Sequence, residues 1–167
     1  MNTKSTISKV NRRITVETKR MREYSENGIR FKQMGDDIYK WRATLSDFDK
    51  DTKIYNELKK HSIEHILMEI IIPRDYPFSA PFIRVVSPRF MGYKGYITTG
   101  GSLCTDMLTP AGWAPCLQIL NLMTHMKILI KDAIIDKINI HKEYTIEEAR
   151  HHYNRTTNIH RWDKVSS

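Results

Sequence analysis

The sequence predicts an α+β fold: one helix, an antiparallel meander of four strands, a long irregular segment and two closing helices. Three observations carry it. Apolar residues recur at three- and four-residue spacing near the start. Four short runs rich in β-branched and aromatic residues follow, with brief connections between them. The helical spacing returns only after a stretch, residues 87–112, that is rich in Gly and Pro and has no clear period.

The first stripe is Ile7, Val10, Ile14, Met21 and Tyr24, with Glu17 as its one polar break. Asn27-Gly28 follows as a stop signal, because both residues tolerate the left-handed backbone that ends a helix. Ile29 and Phe31 then alternate with Arg30 and Lys32, and Gly35-Asp36-Asp37 reads as a turn. Tyr39, Trp41, Ala43 and Leu45 alternate with mainly charged or polar neighbours, the pattern of a strand buried on one face. Residues 47–53 read as a polar connection, and residues 66–72 and 82–86 complete the meander. From Leu117 a helix runs through Leu120, Met123, Met126, Ile130 and Ile134. Thr145 and Glu148 form a capping box for the last helix, whose inner face carries Ile146, Ala149 and Tyr153.

Composition bounds the function. At 167 residues, 40% apolar and 28% charged, the chain is expected to be a single globular domain over 1–167, with flexible ends near 1–6 and 163–167. No apolar run reaches membrane-spanning length, and the basic start lacks the apolar segment of a signal peptide. A cytoplasmic or nuclear location is expected, and two cysteines without disulfide or zinc spacing fit a reducing compartment. The net charge of +8 gathers partly at Lys4, Lys9, Arg12, Arg13, Lys19, Arg20 and Arg22. Nucleic acid or a membrane surface is one reading; a solvated helix face meeting an acidic protein partner is the other. The absence of an aromatic stacking platform favours the second.

The residues themselves leave Cys104 open between an inert small hydrophobe and a nucleophile. It follows Gly100-Gly101-Ser102, in a loop where backbone approaches closely and catalytic groups concentrate. Cys116 opens a helical period and reads as inert. The two cysteines lack metal-ligand spacing, no His pair forms a zinc motif, and no nucleotide-binding glycine loop is present. No metal or bound cofactor is therefore expected.

Three segments together resemble the ubiquitin-conjugating enzymes. Tyr76-Pro77-Phe78-Ser79-Ala80-Pro81 is similar to the family's Y-P-F-x-P-P loop, with Ala80 in place of the first of the paired prolines. Leu103-Cys104-Thr105-Asp106-Met107-Leu108 resembles its I-C-L-D-I-L active-site run, and Trp113-Ala114-Pro115-Cys116-Leu117 its W-S-P-A-L loop. The family's His-Pro-Asn is replaced here by Lys94-Gly95-Tyr96. The Q-type subfamily also lacks that motif, and its members are similar in Pro81-Phe82-Ile83-Arg84-Val85-Val86-Ser87-Pro88 and Gly100-Gly101-Ser102-Leu103-Cys104.

The resemblance implies a UBC-like fold and a relay of two acyl transfers. An activating enzyme, which consumes ATP, hands ubiquitin or a ubiquitin-like protein to Cys104 as a thioester. A ligase then brings the loaded chain to a substrate amine. By motif, Cys104 is the nucleophile; Gly100, Gly101 and Trp113 support its loop. Phe78, Pro115 and Cys116 match the ligase-contacting loops, and the first helix, with Arg12 and Arg13, matches the surface used by the activating enzyme. Tyr96 holds the Asn position, so oxyanion stabilisation is expected from its hydroxyl, from Thr98 or Thr99, or from the Gly100-Gly101 backbone; Tyr96 as a packing residue is the alternative. Asp132 and Asp136 lie where the family often has an acid that helps deprotonate the incoming lysine. A monomer is expected. A catalytically inert member acting as a binding module is the competing reading.

Overall fold

The computed structural model describes residues 3–160 apart from 132 and 134. Asp132, Ile134 and the extreme ends thus lie outside the described residues. The elements run α1 (Thr3–Glu23), β1 (Ser25–Glu26), β2 (Ile29–Met34), β3 (Asp37–Leu45), α2 (Lys53–Lys60), β4 (Ile66–Ile71), β5 (Phe82–Ser87), β6 (Arg89–Met91), a 3-10 turn (Asp106–Leu108), α3 (Ile119–Lys131), β7 (Lys137–Asn139) and α4 (Ile146–His160).

Strands β1 to β5 form one sheet in chain order, each antiparallel to the next. This is the expected meander with one short strand added at its start. Period-two alternation sets the register: Trp41 faces Ile70, Ala43 faces Met68 and Leu45 faces Ile66, all buried. Met68 and Ile70 in turn face Val85 and Ile83 on β5. Helix α3 buries Ile119, Leu122, Met123, Met126 and Ile130, and α1 adds Ile14 and Met21. Each such side chain contributes about 1.5–3 kcal/mol on leaving water. The α3 stripe includes Ile119 and Leu122, while Leu120 is only half-buried.

Two features differ from the sequence reading. Helix α2 extends over what reads as the tail of a polar connection and the approach to β4. Only Ile54 and Leu58 are buried there, one helical turn apart, and Thr52 caps the helix through the Tyr55 amide. Strands β6 and β7 pair across the chain, Phe90 opposite Ile138, inside or beyond segments that show no period.

Glu17, the polar break in the first stripe, is fully buried. It accepts from Arg13 Nε at 3.0 Å and from the Ile119 amide at 3.3 Å. A carboxylate thus sits at the first N–H of α3, where the helix end favours negative charge. Arg13 also donates to the Leu117 carbonyl at 2.6 Å, and the buried Tyr76 hydroxyl donates to the same oxygen at 3.3 Å. One polar joint therefore ties α1, the loop before β5 and the entry to α3.

Candidate active site

Beyond β6 the chain turns and runs back along the open edge of β5. The Val85 amide donates to Gly101 O at 2.8 Å, and the Leu103 amide to Ile83 O at 2.9 Å. Ile97 and Leu103 form an isolated bridge, and the Cys104 amide donates to Tyr96 O at 2.7 Å. Backbone pairing therefore holds the chain on both flanks of this segment. Leu103 and Thr105 turn inward and are buried, so Cys104 between them presents a half-buried thiol to the surface.

Burial pushes the Cys104 thiol above its ordinary range, and the carboxylate of Asp106 pushes in the same direction. Asp106 is exposed and opens the 3-10 turn that follows. It is the acidic group felt by the thiol, and sequence reasoning did not assign it that part. The available signal was a carboxylate two positions from the cysteine. Asp136 is exposed just before β7; its amide donates to Met91 O at 3.2 Å, and its carboxylate rests on Gly92 at the base of the loop leading to Tyr96.

The two glycines before Cys104 are explained by the chain's own packing. Gly101 has φ +92° and presses on the ring of Tyr144, where a Cβ would collide. Gly100 is buried against the Glu148 carbonyl and the His152 ring of α4. Of the candidate oxyanion donors, several already have partners. The Thr98 and Ser102 hydroxyls pair at 2.7 Å, Thr99 Oγ1 meets His152 Nδ1 at 2.9 Å, and the Gly101 amide donates to Thr98 O at 2.9 Å. Tyr96 is 42% exposed, and its hydroxyl has no hydrogen-bond partner among the described residues.

A second group lies on the loops before β5 and before α3. Phe78 is 51% exposed, and Pro115 and Cys116 are exposed as well. Trp113 stands behind them, half-buried. Its Nε1 donates to Pro77 O at 2.7 Å, its ring lies 6.0 Å from that of Tyr76, and its amide donates to Thr109 O. It is a strut between the two loops. Arg12 is exposed on α1, whereas Arg13 turns into the Glu17 joint.

Helix α4 supplies contacts that sequence reasoning did not find. Besides His152, the Tyr153 hydroxyl donates to Leu108 O at 2.8 Å, and its ring meets Phe82 edge-on at 5.7 Å. The capping box is formed: the Thr145 amide donates to Glu148 at 3.0 Å and the Glu148 amide to Thr145 Oγ1 at 3.1 Å. Arg89 also pairs with Glu148, at 2.5 Å.

Comparison with known proteins agrees with this architecture. The family model described as ubiquitin-conjugating enzyme matches residues 13–160. A mouse Q-like ubiquitin-conjugating enzyme protein is 34% identical over 95 residues, which cover 57% of this chain and 58% of that protein. A Q-like protein of Drosophila melanogaster, also described as a ubiquitin-conjugating enzyme, is 28% identical over 159 residues, covering 87% of this chain and 51% of the relative. The chain thus spans only a little over half the length of these curated relatives. Among solved structures, a ubiquitin conjugating enzyme from Plasmodium falciparum superposes with a TM-score of 0.59 at 19% identity, covering 74% of this chain and 100% of that one, a likeness of fold. With the half-buried cysteine in its matching run and the meander closed by helices, the chain belongs to the ubiquitin-conjugating enzyme family and is related to its Q subfamily.

Proposed function

We propose that the chain accepts ubiquitin, or a ubiquitin-like protein, as a thioester on Cys104 and passes it to a substrate amine, usually that of lysine. One observation carries this reading: a half-buried thiol at the surface, on a segment whose backbone is paired on both flanks, to β5 and to Tyr96. A nucleophile that must meet two large partners in turn needs both access and a fixed position.

The Cys104 thiolate adds to the thioester carbonyl presented by an activating enzyme. The tetrahedral oxyanion collapses and expels that enzyme's thiolate. A neutral amine then adds to the Cys104 thioester, loses a proton, and expels the Cys104 thiolate, leaving an amide. Burial and Asp106 keep the resting thiol mostly protonated at neutral pH, so it must give up its proton as it attacks. Once formed, a thiolate of raised pKa is the stronger nucleophile and the poorer leaving group.

In this reading ATP is consumed by the activating enzyme and no cofactor is held by this chain. The basic outer face of α1 around Arg12 meets the activating enzyme, and Phe78, Pro115 and Cys116 meet a ligase. The work is done in the cytoplasm or nucleus.

The test is a loading assay with an activating enzyme, ATP and several ubiquitin-like proteins. A reductant-sensitive adduct is expected, lost in Cys104→Ala and kept in Cys116→Ala. Cys104→Ser should give a more stable oxyester. Loading of Cys104→Ala through Cys116 would overturn the assignment, and failure of the wild-type chain to load would favour an inert binding module.

A further inference from the structure

Two neighbouring side chains of α4 reach the polypeptide on opposite sides of Cys104. His152 Nδ1 meets Thr99 Oγ1 at 2.9 Å, five residues before the cysteine. The Tyr153 hydroxyl donates to Leu108 O at 2.8 Å, four residues after it. Between these contacts the helix also packs closely on Gly100, through the Glu148 carbonyl and the His152 ring. The gap between Gly100 and α4 leaves no room even for a methyl group. Tyr153 is itself braced edge-on against Phe82 of β5. Burial raises the pKa of its hydroxyl, and the Cys104 thiolate, once formed, raises it further, so the two groups share one local field.

From these contacts we infer that His152 and Tyr153 are positioning residues for Cys104, a clamp through which α4 sets the thiol's place during amine attack. This rests on the thioester reading above. Neither side chain touches the reacting atoms in the proposal; each acts through the backbone segment that carries them. A displacement of the order of 1 Å at a reacting group can cost about a hundredfold in rate, so a pair of modest hydrogen bonds is enough to matter.

The experiment charges the full chain with an activating enzyme, removes ATP, and follows single-turnover discharge to free lysine at several lysine concentrations. The variants are Tyr153→Phe, Thr99→Val, Thr99→Ser, His152→Ala and the Thr99→Val/His152→Ala double variant. Tyr153→Phe and Thr99→Val should each slow the maximal discharge rate roughly fivefold, the worth of about one hydrogen bond, with the half-saturating lysine concentration unchanged. Thr99→Ser, which keeps the hydroxyl, should recover most of the rate lost in Thr99→Val. The double variant should be no slower than His152→Ala alone, because both substitutions remove one contact. Wild-type rates in Tyr153→Phe and Thr99→Val, or additive losses in the double variant, would overturn the clamp while leaving the thioester reading intact. So would a rate loss that tracks a fall in melting temperature. A wild-type chain that never charges would remove the underlying reading and the clamp with it.

Discussion

The carbonyl of Tyr96 accepts the Cys104 amide at 2.7 Å, while the Tyr96 side chain is 42% exposed. Backbone and side chain of this residue thus have separable parts. The carbonyl fixes the segment, and any residue type other than Pro at position 104 would preserve that bond. The hydroxyl is free to act elsewhere. Tyr96→Phe should therefore slow discharge of the Cys104 thioester to lysine by about tenfold or more, the low end for loss of one oxyanion donor. A thermal melt should be unchanged, because the ring is exposed. An unchanged discharge rate would assign the oxyanion contact to other groups, such as the Gly100 amide or a donor brought by the ligase.

Asp106 raises the Cys104 thiol by its charge, after burial, which is the larger cause. Asp106→Asn removes the negative charge, so the thiolate becomes easier to form and the thiol pKa falls. Alkylation of Cys104 near pH 8, followed by peptide mass spectrometry to separate it from the exposed Cys116, should become roughly twofold faster, as expected for an exposed charge screened by solvent. The midpoint of the pH–rate profile should move down. A profile that stays put would leave burial as the sole cause.

What could be read from sequence follows the range of the forces involved. Trp41, Ala43 and Leu45 announce their strand because alternation is local, and Thr145 and Glu148 announce their cap within one turn. Helix α2 is silent because only Ile54 and Leu58 are buried in it. Strands β6 and β7 are silent because three residues of each find partners far along the chain. Cys104 stands out through its matching run, and Gly100 and Gly101 mark a place of close backbone approach. That the approach is to Tyr144, Glu148 and His152 depends on where α4 docks, which no local pattern encodes. Glu17 reads as a polar break in the first stripe because Arg13 alone is a local partner, while the Ile119 amide that it also accepts from lies 102 residues on.

That buried carboxylate gives a stability prediction. Glu17→Ala leaves the Ile119 amide and the Arg13 guanidinium without their shared acceptor and opens a gap where α1 meets α3. Loss of one partner from a buried pair costs about 3–5 kcal/mol. Arg13 is partly exposed and keeps its bond to Leu117 O, so the low end is expected. Urea unfolding should show a lower midpoint with an unchanged slope. A change under about 1 kcal/mol would mean that water replaces the carboxylate without loss.

Glu148 makes a pH-dependent contribution. The Thr145 amide holds its carboxyl below the usual range, and Arg89 and Lys142 add to this. A lowered folded-state pKa stabilises the fold above the ordinary Glu value of about 4.3, and the gain is lost as pH falls through the folded value. Glu148→Gln should thus be less stable than wild type at pH 7 by no more than about 1 kcal/mol, since the group is partly exposed. The gap should narrow as pH falls below about 4. A gap that does not narrow on acidification would trace the loss to geometry rather than charge.

Phe78 and Trp113 sit on the same two loops and should fail in opposite ways. Phe78 leaves half its surface in water, so truncating it removes little packing. In the proposed function it is a contact for the ligase, and Phe78→Ala should leave charging and the melting temperature near wild type. Ligase-dependent transfer should fall several-fold, within the range seen when an apolar interface anchor is removed. Trp113 donates to Pro77 O and rests against Tyr76, whose hydroxyl reaches the polar joint of Arg13 and Leu117. Trp113→Ala should therefore unseat both loops at once and cost about 3 kcal/mol or more in stability, as for other truncated aromatics with buried contacts. Trp113→Phe, which keeps most of the ring but not the N–H, should recover much of that stability and leave the Pro77 carbonyl to water. Transfer in Trp113→Phe then reports on loop position alone. If Phe78→Ala lowers the melting temperature as much as Trp113→Ala, Phe78 belongs to the packing of the loop, and the ligase surface must be sought elsewhere.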